Sequence, residues 1–163
     1  MINEVKTLTD VVIREPSLEE FLEIAQFSYI NFVNETARST GEAVSVLMEK
    51  YGGPPLDRRK NDIWFLIEKN QKKIGFIWIE LRSEEKSSFG YDIFLEDDYR
   101  SQGIGRYVMQ LCGNELTIMG IDSVKICVFE HNYIARKLYD SLGFKIEKFD
   151  EARNQYTLIL SFV

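Results

Sequence analysis

The stretch Ile93-Phe94-Leu95-Glu96-Asp97-Asp98-Tyr99-Arg100-Ser101-Gln102-Gly103-Ile104-Gly105-Arg106 decides the fold. Its first residues read as the end of a strand, and from about Gly103 a helical pattern begins. A strand that runs through a glycine-bearing turn straight into a helix leaves the first N–H groups of that helix without intrahelical partners. Those groups carry roughly half a unit of positive charge between them. Gly103 and Gly105 lack Cβ atoms, so a ligand can come close to the chain there. The turn is a candidate cradle for a phosphate or pyrophosphate. Neither familiar phosphate loop fits: GxxxxGK[ST] does not occur, and the third position of GxGxxG is Val108. An ordinary strand-to-helix turn carries the same glycines, so this stretch needs a second witness.

Outward from the turn, period and punctuation define the remaining elements. Downstream, a helix over about Gly103–Met119 places Ile104, Val108, Leu111, Cys112, Glu115 and Met119 on one side and stops at Gly120. A strand Val124–Phe129, a helix Asn132–Leu142 ended by Gly143, a strand Phe144–Lys148 and a last strand Gln155–Phe162 follow. Upstream, Phe89–Leu95 is preceded by a polar turn, Ser83–Ser88, and by an apparent hairpin of Ile63–Glu68 and Lys73–Leu81 joined at Asn70-Gln71. Before Gly52-Gly53-Pro54-Pro55 the period is helical. Ser17 with Glu20 forms a capping-box pattern after a short strand, Val11–Arg14. Leu18, Phe21, Leu22, Ala25 and Tyr29 then mark a first helical face, and a second helix spans about Gly41–Tyr51 with Val44, Leu47 and Met48 on one face. The order β-α-α-β-β-β-α-β-α-β-β predicts an α/β fold with helices packed on a mixed sheet. With 163 residues and no linker-like tract, one domain over 1–163 is the simpler division.

Composition excludes several function classes. A net charge of −6 argues against a basic nucleic-acid surface, and no apolar run approaches the roughly 20 residues of a membrane span. Met1–Asp10 lacks the pattern of a secretory leader, so a cytoplasmic protein is expected. Two cysteines, Cys112 and Cys127, and a single histidine, His131, offer no metal-ligand cluster, and no metal is expected.

The second witness is His131-Asn132-Tyr133-Ile134-Ala135-Arg136-Lys137-Leu138-Tyr139-Asp140-Ser141-Leu142-Gly143-Phe144. On a helix Asn132, Ala135 and Tyr139 fall within about 60° of one another: an amide, a small residue and a phenol in one stripe. Taken alone, Asn132 is equally an N-cap and Tyr139 a packing residue. Taken together, Arg-x-x-Gly-x-Gly followed by Asn-x-x-Ala-x-x-Leu-Tyr-x-x-x-Gly-Phe resembles the GNAT superfamily of N-acetyltransferases. The strings Tyr91-Asp92-Ile93 and Val128-Phe129-Glu130-His131-Asn132 resemble its small bacterial members.

That resemblance, which covers nearly the whole chain, implies a single-domain, mostly antiparallel sheet splayed between its fourth and fifth strands and flanked by about four helices. It implies acetyl-CoA in the wedge as co-substrate, and an amine of a small molecule or peptide as acceptor. Backbone groups of Ile93, Phe94 and Leu95 would pair with the pantetheine arm. The turn from Arg100 and Ser101 through Gln102, Gly103, Ile104 and Gly105 to Arg106 would hold the pyrophosphate. Asn132 would bond the pantetheine arm and Ala135 leave room for it, while Arg136 and Lys137 reach the phosphates or face solvent. For chemistry, the N–H of Leu95 is the implied oxyanion donor. Tyr139 is the expected acid, its phenol near pKa 10 passing a proton to a departing thiolate near 8.5. Cys127 stands where some relatives carry a glutamate base, which leaves Asp92, Glu80 or water for that task. A non-catalytic acyl-CoA-binding module is the rival reading. Pairing of two copies through the sheet or through Phe21, Phe27, Tyr29 and Phe32 is a further expectation.

Overall fold

The sheet order β1-β2-β3-β4-β5-β7-β6 follows from where hairpins are allowed and where they are not. These assignments come from a computed structural model that describes residues 8 and 10–163; the rest of Met1–Asp10, read above for a leader, lies outside the described residues. β1 (Val11–Arg14), β2 (Asp62–Lys69), β3 (Lys72–Arg82) and β4 (Ser87–Leu95) pair antiparallel in sequence. Asn70 and Gln71, at φ 50° and 66°, form the two-residue turn whose twist suits the β2–β3 hairpin. β5 (Ser123–Phe129) lies parallel to β4, so the chain between them crosses over as α3 (Ile104–Ile118). α4 (Tyr133–Ser141) precedes β6 (Lys145–Asp150) and β7 (Gln155–Ser161), and β7 inserts antiparallel between β5 and β6. The predicted element order and the mixed, mostly antiparallel sheet are observed.

α1 (Leu18–Thr40) starts on the predicted capping box, with the Ser17 hydroxyl accepting from Glu20 N–H and the Glu20 carboxylate accepting from Ser17 N–H. It buries Phe21, Ala25, Ser28, Val33 and Thr36 rather than the whole predicted face, and leaves Leu18 and Leu22 exposed. The reason is rotational: Leu22 stands about 100° round the helix from Phe21, and Leu18 precedes the first buried turn. α2 (Val44–Tyr51) begins later than expected because Gly41, at φ 78°, caps α1; only Leu47 of its predicted face is buried. In α3 the buried stripe is Ile104, Val108, Cys112 and Leu116, whereas Glu115 and Met119 are exposed.

Strand alternation divides the helices. Trp64, Leu66 and Phe76 meet Phe21 and Ala25 of α1 on one face, while Ile67, Ile77 and Ile79 meet α3 on the other. α4 shares the α3 face, where Gly105 lies near Leu138 and Arg106 bonds Ser141. Of the aromatic residues expected to join two copies, Phe21 is fully buried, the Tyr29 hydroxyl donates to Gly52 O and Phe32 meets Tyr51, while Phe27 packs on Phe94 yet stays 45% exposed. Gly75 is obligatory for β3–β4 pairing, since a Cβ there would stand 2.0 Å from Phe94 O.

Candidate active site

The site originates in a pairing that stops. β4 and β5 are in register only over Ser87–Gly90 and Ser123–Ile126, yet β4 continues to Leu95 and β5 to Phe129. The two strands therefore splay beyond Gly90. Glu96 N–H donates to Ile74 O at 2.8 Å, toward β3. By strand alternation the N–H groups of Leu95 and Ile93 point the other way, into the gap. A bulge opposite Trp78 and Ile79 leaves Tyr91 without a partner and sets the direction of Asp92.

A cleft of about 1250 Å³ passes through this gap, with α1 and α2 on one side and α3 and α4 on the other. Ile93, Phe94, Arg100, Arg106, Asn132, Ala135 and Tyr139 line it; Leu95, the turn Ser101–Gly105 and Arg136 do not. Gln102 and Arg100 hold the turn itself. The Gln102 amide donates to Asp98 O at 2.6 Å, and the Arg100 guanidinium donates to Leu95 O at 2.8 Å and pairs with Asp97. Ser101 at φ 58° and Gly103 at φ 83° give the alternating backbone that makes a concave row of N–H groups. A Cβ on Gly103 would meet nothing within 4 Å, so this glycine faces open space, whereas Gly105 packs toward Leu138 and Leu95. The Ile104 side chain is core, so only its main chain is available to a ligand. Asn132 is the α4 N-cap, accepting from Ala135 N–H at 3.3 Å, which leaves its amide NH₂ for the cleft it lines. Arg136 is turned elsewhere, donating to Glu130 O at 2.9 Å and lying over the Tyr156 ring.

Asp92 and Tyr139 face each other across the splay from opposite sides of the sheet. The Ser28 hydroxyl donates to Asp92 Oδ2 at 2.6 Å. Burial pushes the Asp92 carboxyl up to about 6, against the opposing pull of the Ser28 and Ile93 hydrogen bonds. Solvent still reaches it through the cleft. Tyr139 is buried, and burial, reinforced by the Asp92 charge, raises its phenol well above the ordinary value. That corrects the expected proton flow. A phenol at or above 10 gives its proton to a thiolate near 8.5 only uphill. A phenol held this way stays protonated and can act there only as a hydrogen-bond donor. Glu80 is held below the usual carboxylate range by Arg82 first, accepts from the Tyr91 hydroxyl, and lies outside the cleft. Cys127 lines the cleft with its Sγ 3.6 Å from Thr157 Oγ1, while burial pushes the Cys112 thiol up to about 12. Among the described residues no group of His, Cys, Asp and Glu side chains could hold a metal, and no helix is long and apolar enough to cross a membrane.

No sequence motif marks the residues of one wall. Ser28, Asn31, Phe32, Glu35 and Arg38 form a continuous face of α1 along the cleft. Their i, i+3, i+4, i+7, i+10 spacing was the available signal, a polar stripe beside the buried one. At its far end Glu35 meets His131 at 2.6 Å. Ser39 there bonds Arg153 O at 2.8 Å and accepts from Asn154 at 3.0 Å, which brings the β6–β7 turn against α1.

Similarity to known proteins agrees with this geometry. Residues 60–146 match the acetyltransferase (GNAT) domain family. The uncharacterised N-acetyltransferase YycN of Bacillus subtilis is 30% identical over 92 residues, which is 55% of this chain and 59% of that protein. The mycothiol acetyltransferase of Thermobispora bispora is 30% identical over 100 residues, 55% of this chain and 34% of that protein. The chain thus spans between about a third and three fifths of the length of these two relatives. Spermidine N-acetyltransferase from Vibrio cholerae, solved with CoA and spermine, superposes with a TM-score of 0.68 at 18% identity, covering 94% of this chain and 96% of that one. PaiA N-acetyltransferase from Thermoplasma acidophilum, solved with coenzyme A, gives 0.66 at 16% identity over 94% and 99%. A strand pair that parts at Gly90, a glycine turn opening α3 and a match over more than half the sequence lead to one assignment: the chain belongs to the GNAT acetyltransferase family.

Proposed function

We propose that this chain is an acetyl-CoA-dependent N-acyltransferase whose acceptor amine approaches Asp92 from the α1 side while the acyl donor enters from the α3–α4 side. The observation that carries the reading is the placement of Asp92 and Tyr139 on opposite walls of the β4–β5 splay. The residues present suit the donor. The N–H groups of the turn Gln102–Arg106 suit a pyrophosphate, and the edge of β4 that β5 leaves unpaired beyond Gly90 suits an extended amide-bearing arm. The Asn132 amide suits the same arm.

Chemically, an alkyl amine near pKa 10 must lose a proton on the way to an amide. Asp92 accepts it, directly or through a water, as the nitrogen becomes acidic during attack. Leu95 N–H, directed into the gap, stabilises the charge developing on the carbonyl oxygen. Tyr139 donates a hydrogen bond to the leaving sulfur, and the proton held at Asp92 near 6 is acidic enough to satisfy a thiolate near 8.5 downhill.

Free-thiol release, measured against a panel of amines with acetyl-CoA supplied, tests this reading. Amine-dependent release is expected; CoA binding without release for every amine would make the protein a binding module instead.

A further inference from the structure

The cleft has a charge pattern that mechanism alone does not use. Arg38 and Arg153 both line it, and among the described residues neither guanidinium has a carboxylate, carbonyl or aromatic partner. Other cleft charges are committed: Glu35 to His131, Arg100 to Leu95 O and Asp97, Arg106 to Ser141. Arg153 is half-buried and Arg38 exposed, and the Arg153 guanidinium keeps contact with solvent, so both can take an acidic group that enters the cleft. The two arginines are brought to the same end by Ser39, the residue after Arg38, which bonds the main chain of Arg153 and the side chain of Asn154.

The distance to the reacting end is set by α1. Ser28 holds Asp92, and Arg38 lies ten residues further on the same face. At 1.5 Å per residue that is about 15 Å. An extended peptide covers about 15 Å with four to five residues. The walls between are apolar and aromatic as well as polar, with Phe32 and Tyr51 in contact at 5.1 Å.

We propose that the acceptor is an extended peptide whose N-terminal amine sits at Asp92 and whose carboxylate, an acidic side chain or C-terminus about four residues along, is held by Arg38 and Arg153. The inference rests on the N-acyltransferase reading and narrows its acceptor. An α-amino acid is too short to touch both ends of this wall. A polycation would bring like charge against two unpaired guanidiniums.

The test compares matched peptides with a free N-terminus that carry either glutamate or glutamine at the fourth residue, all amidated at the C-terminus. Acetyl-CoA is the donor and thiol release the readout. The glutamate peptide is expected to exceed its glutamine partner by about tenfold in kcat/KM. In the double variant Arg38→Gln, Arg153→Gln that ratio falls to near one. The single variant Arg153→Gln provides an independent reading should the double variant fail to fold. Equal use of both peptides by the unaltered protein, or a preference that survives the substitutions, overturns the proposal. Thermal stabilisation by CoA, measured on the unaltered protein, separates the levels. Stabilisation without peptide turnover removes only the peptide acceptor, whereas no stabilisation removes the N-acyltransferase reading with it.

Discussion

Replacing Asp92 by asparagine sets stability against catalysis in a way that depends on pH. The Asp92 carboxyl has a folded-state pKa raised by burial from 3.8 to about 6. A group of this kind contributes its full stability below the unfolded value and loses it as pH rises through the folded one. At about 1.4 kcal/mol per pH unit, ionised Asp92 therefore costs the fold about 3 kcal/mol above pH 6 and nothing below about pH 4. Asp92→Asn keeps an oxygen for the Ser28 hydroxyl and never ionises. Its stability relative to the unaltered protein should thus be near zero at pH 4 and rise to about 3 kcal/mol at pH 8. That gain corresponds to about 6 °C or more in Tm for a chain of this size. Thiol-release kinetics should move oppositely, with kcat/KM reduced about 10²–10⁴-fold. The unaltered protein should show an acid limb centred near 6 that the variant lacks. Denaturant melts at both pH values, alongside the pH–rate profile, decide the matter. A stability difference that is the same at pH 4 and pH 8, or a variant with full activity, refutes the reasoning.

Three further outcomes follow from other parts of the molecule. Gly103→Asp should abolish CoA-induced thermal stabilisation by setting a carboxylate beside the open turn, while Gly103→Asn, which tolerates φ 83° without adding charge, retains most of it. Tyr139→Phe should lower kcat with little change in CoA affinity measured by titration; unchanged turnover removes the phenol from any role at the sulfur. Gly75→Ala should destabilise the protein by about 3 kcal/mol or more in urea melts, because its methyl group meets Phe94 O at 2.0 Å and the β3–β4 pair must part to admit it.

The resemblance carried by Arg100–Arg106 and Asn132–Phe144 pointed to a wedge, and the wedge is there, between β4 and β5. The element order was legible because the chain's signals are local: a capping box at Ser17, left-handed residues at Asn70, Gln71, Gly103 and Gly120, and a change of period at the strands. Helical faces were legible only in part. Apolar periodicity marks the residues able to be buried, and tertiary cover selects Leu116 over Met119 and Phe21 over Leu22.

Sequence by itself therefore determined the order of strands and helices and the glycine turn that opens α3, since each rests on contacts between near neighbours. Tertiary structure alone decided which carboxylate faces the gap. Asp92 and Glu80 are equally acidic on paper; a bulge turns one toward Ser28 and Tyr139, and two arginines neutralise the other. It also decided that Arg38 and Arg153, more than a hundred residues apart, share one end of a cleft. A side chain's proton affinity and partners depend on the dielectric and charges around it, and those are supplied by residues that only folding brings near.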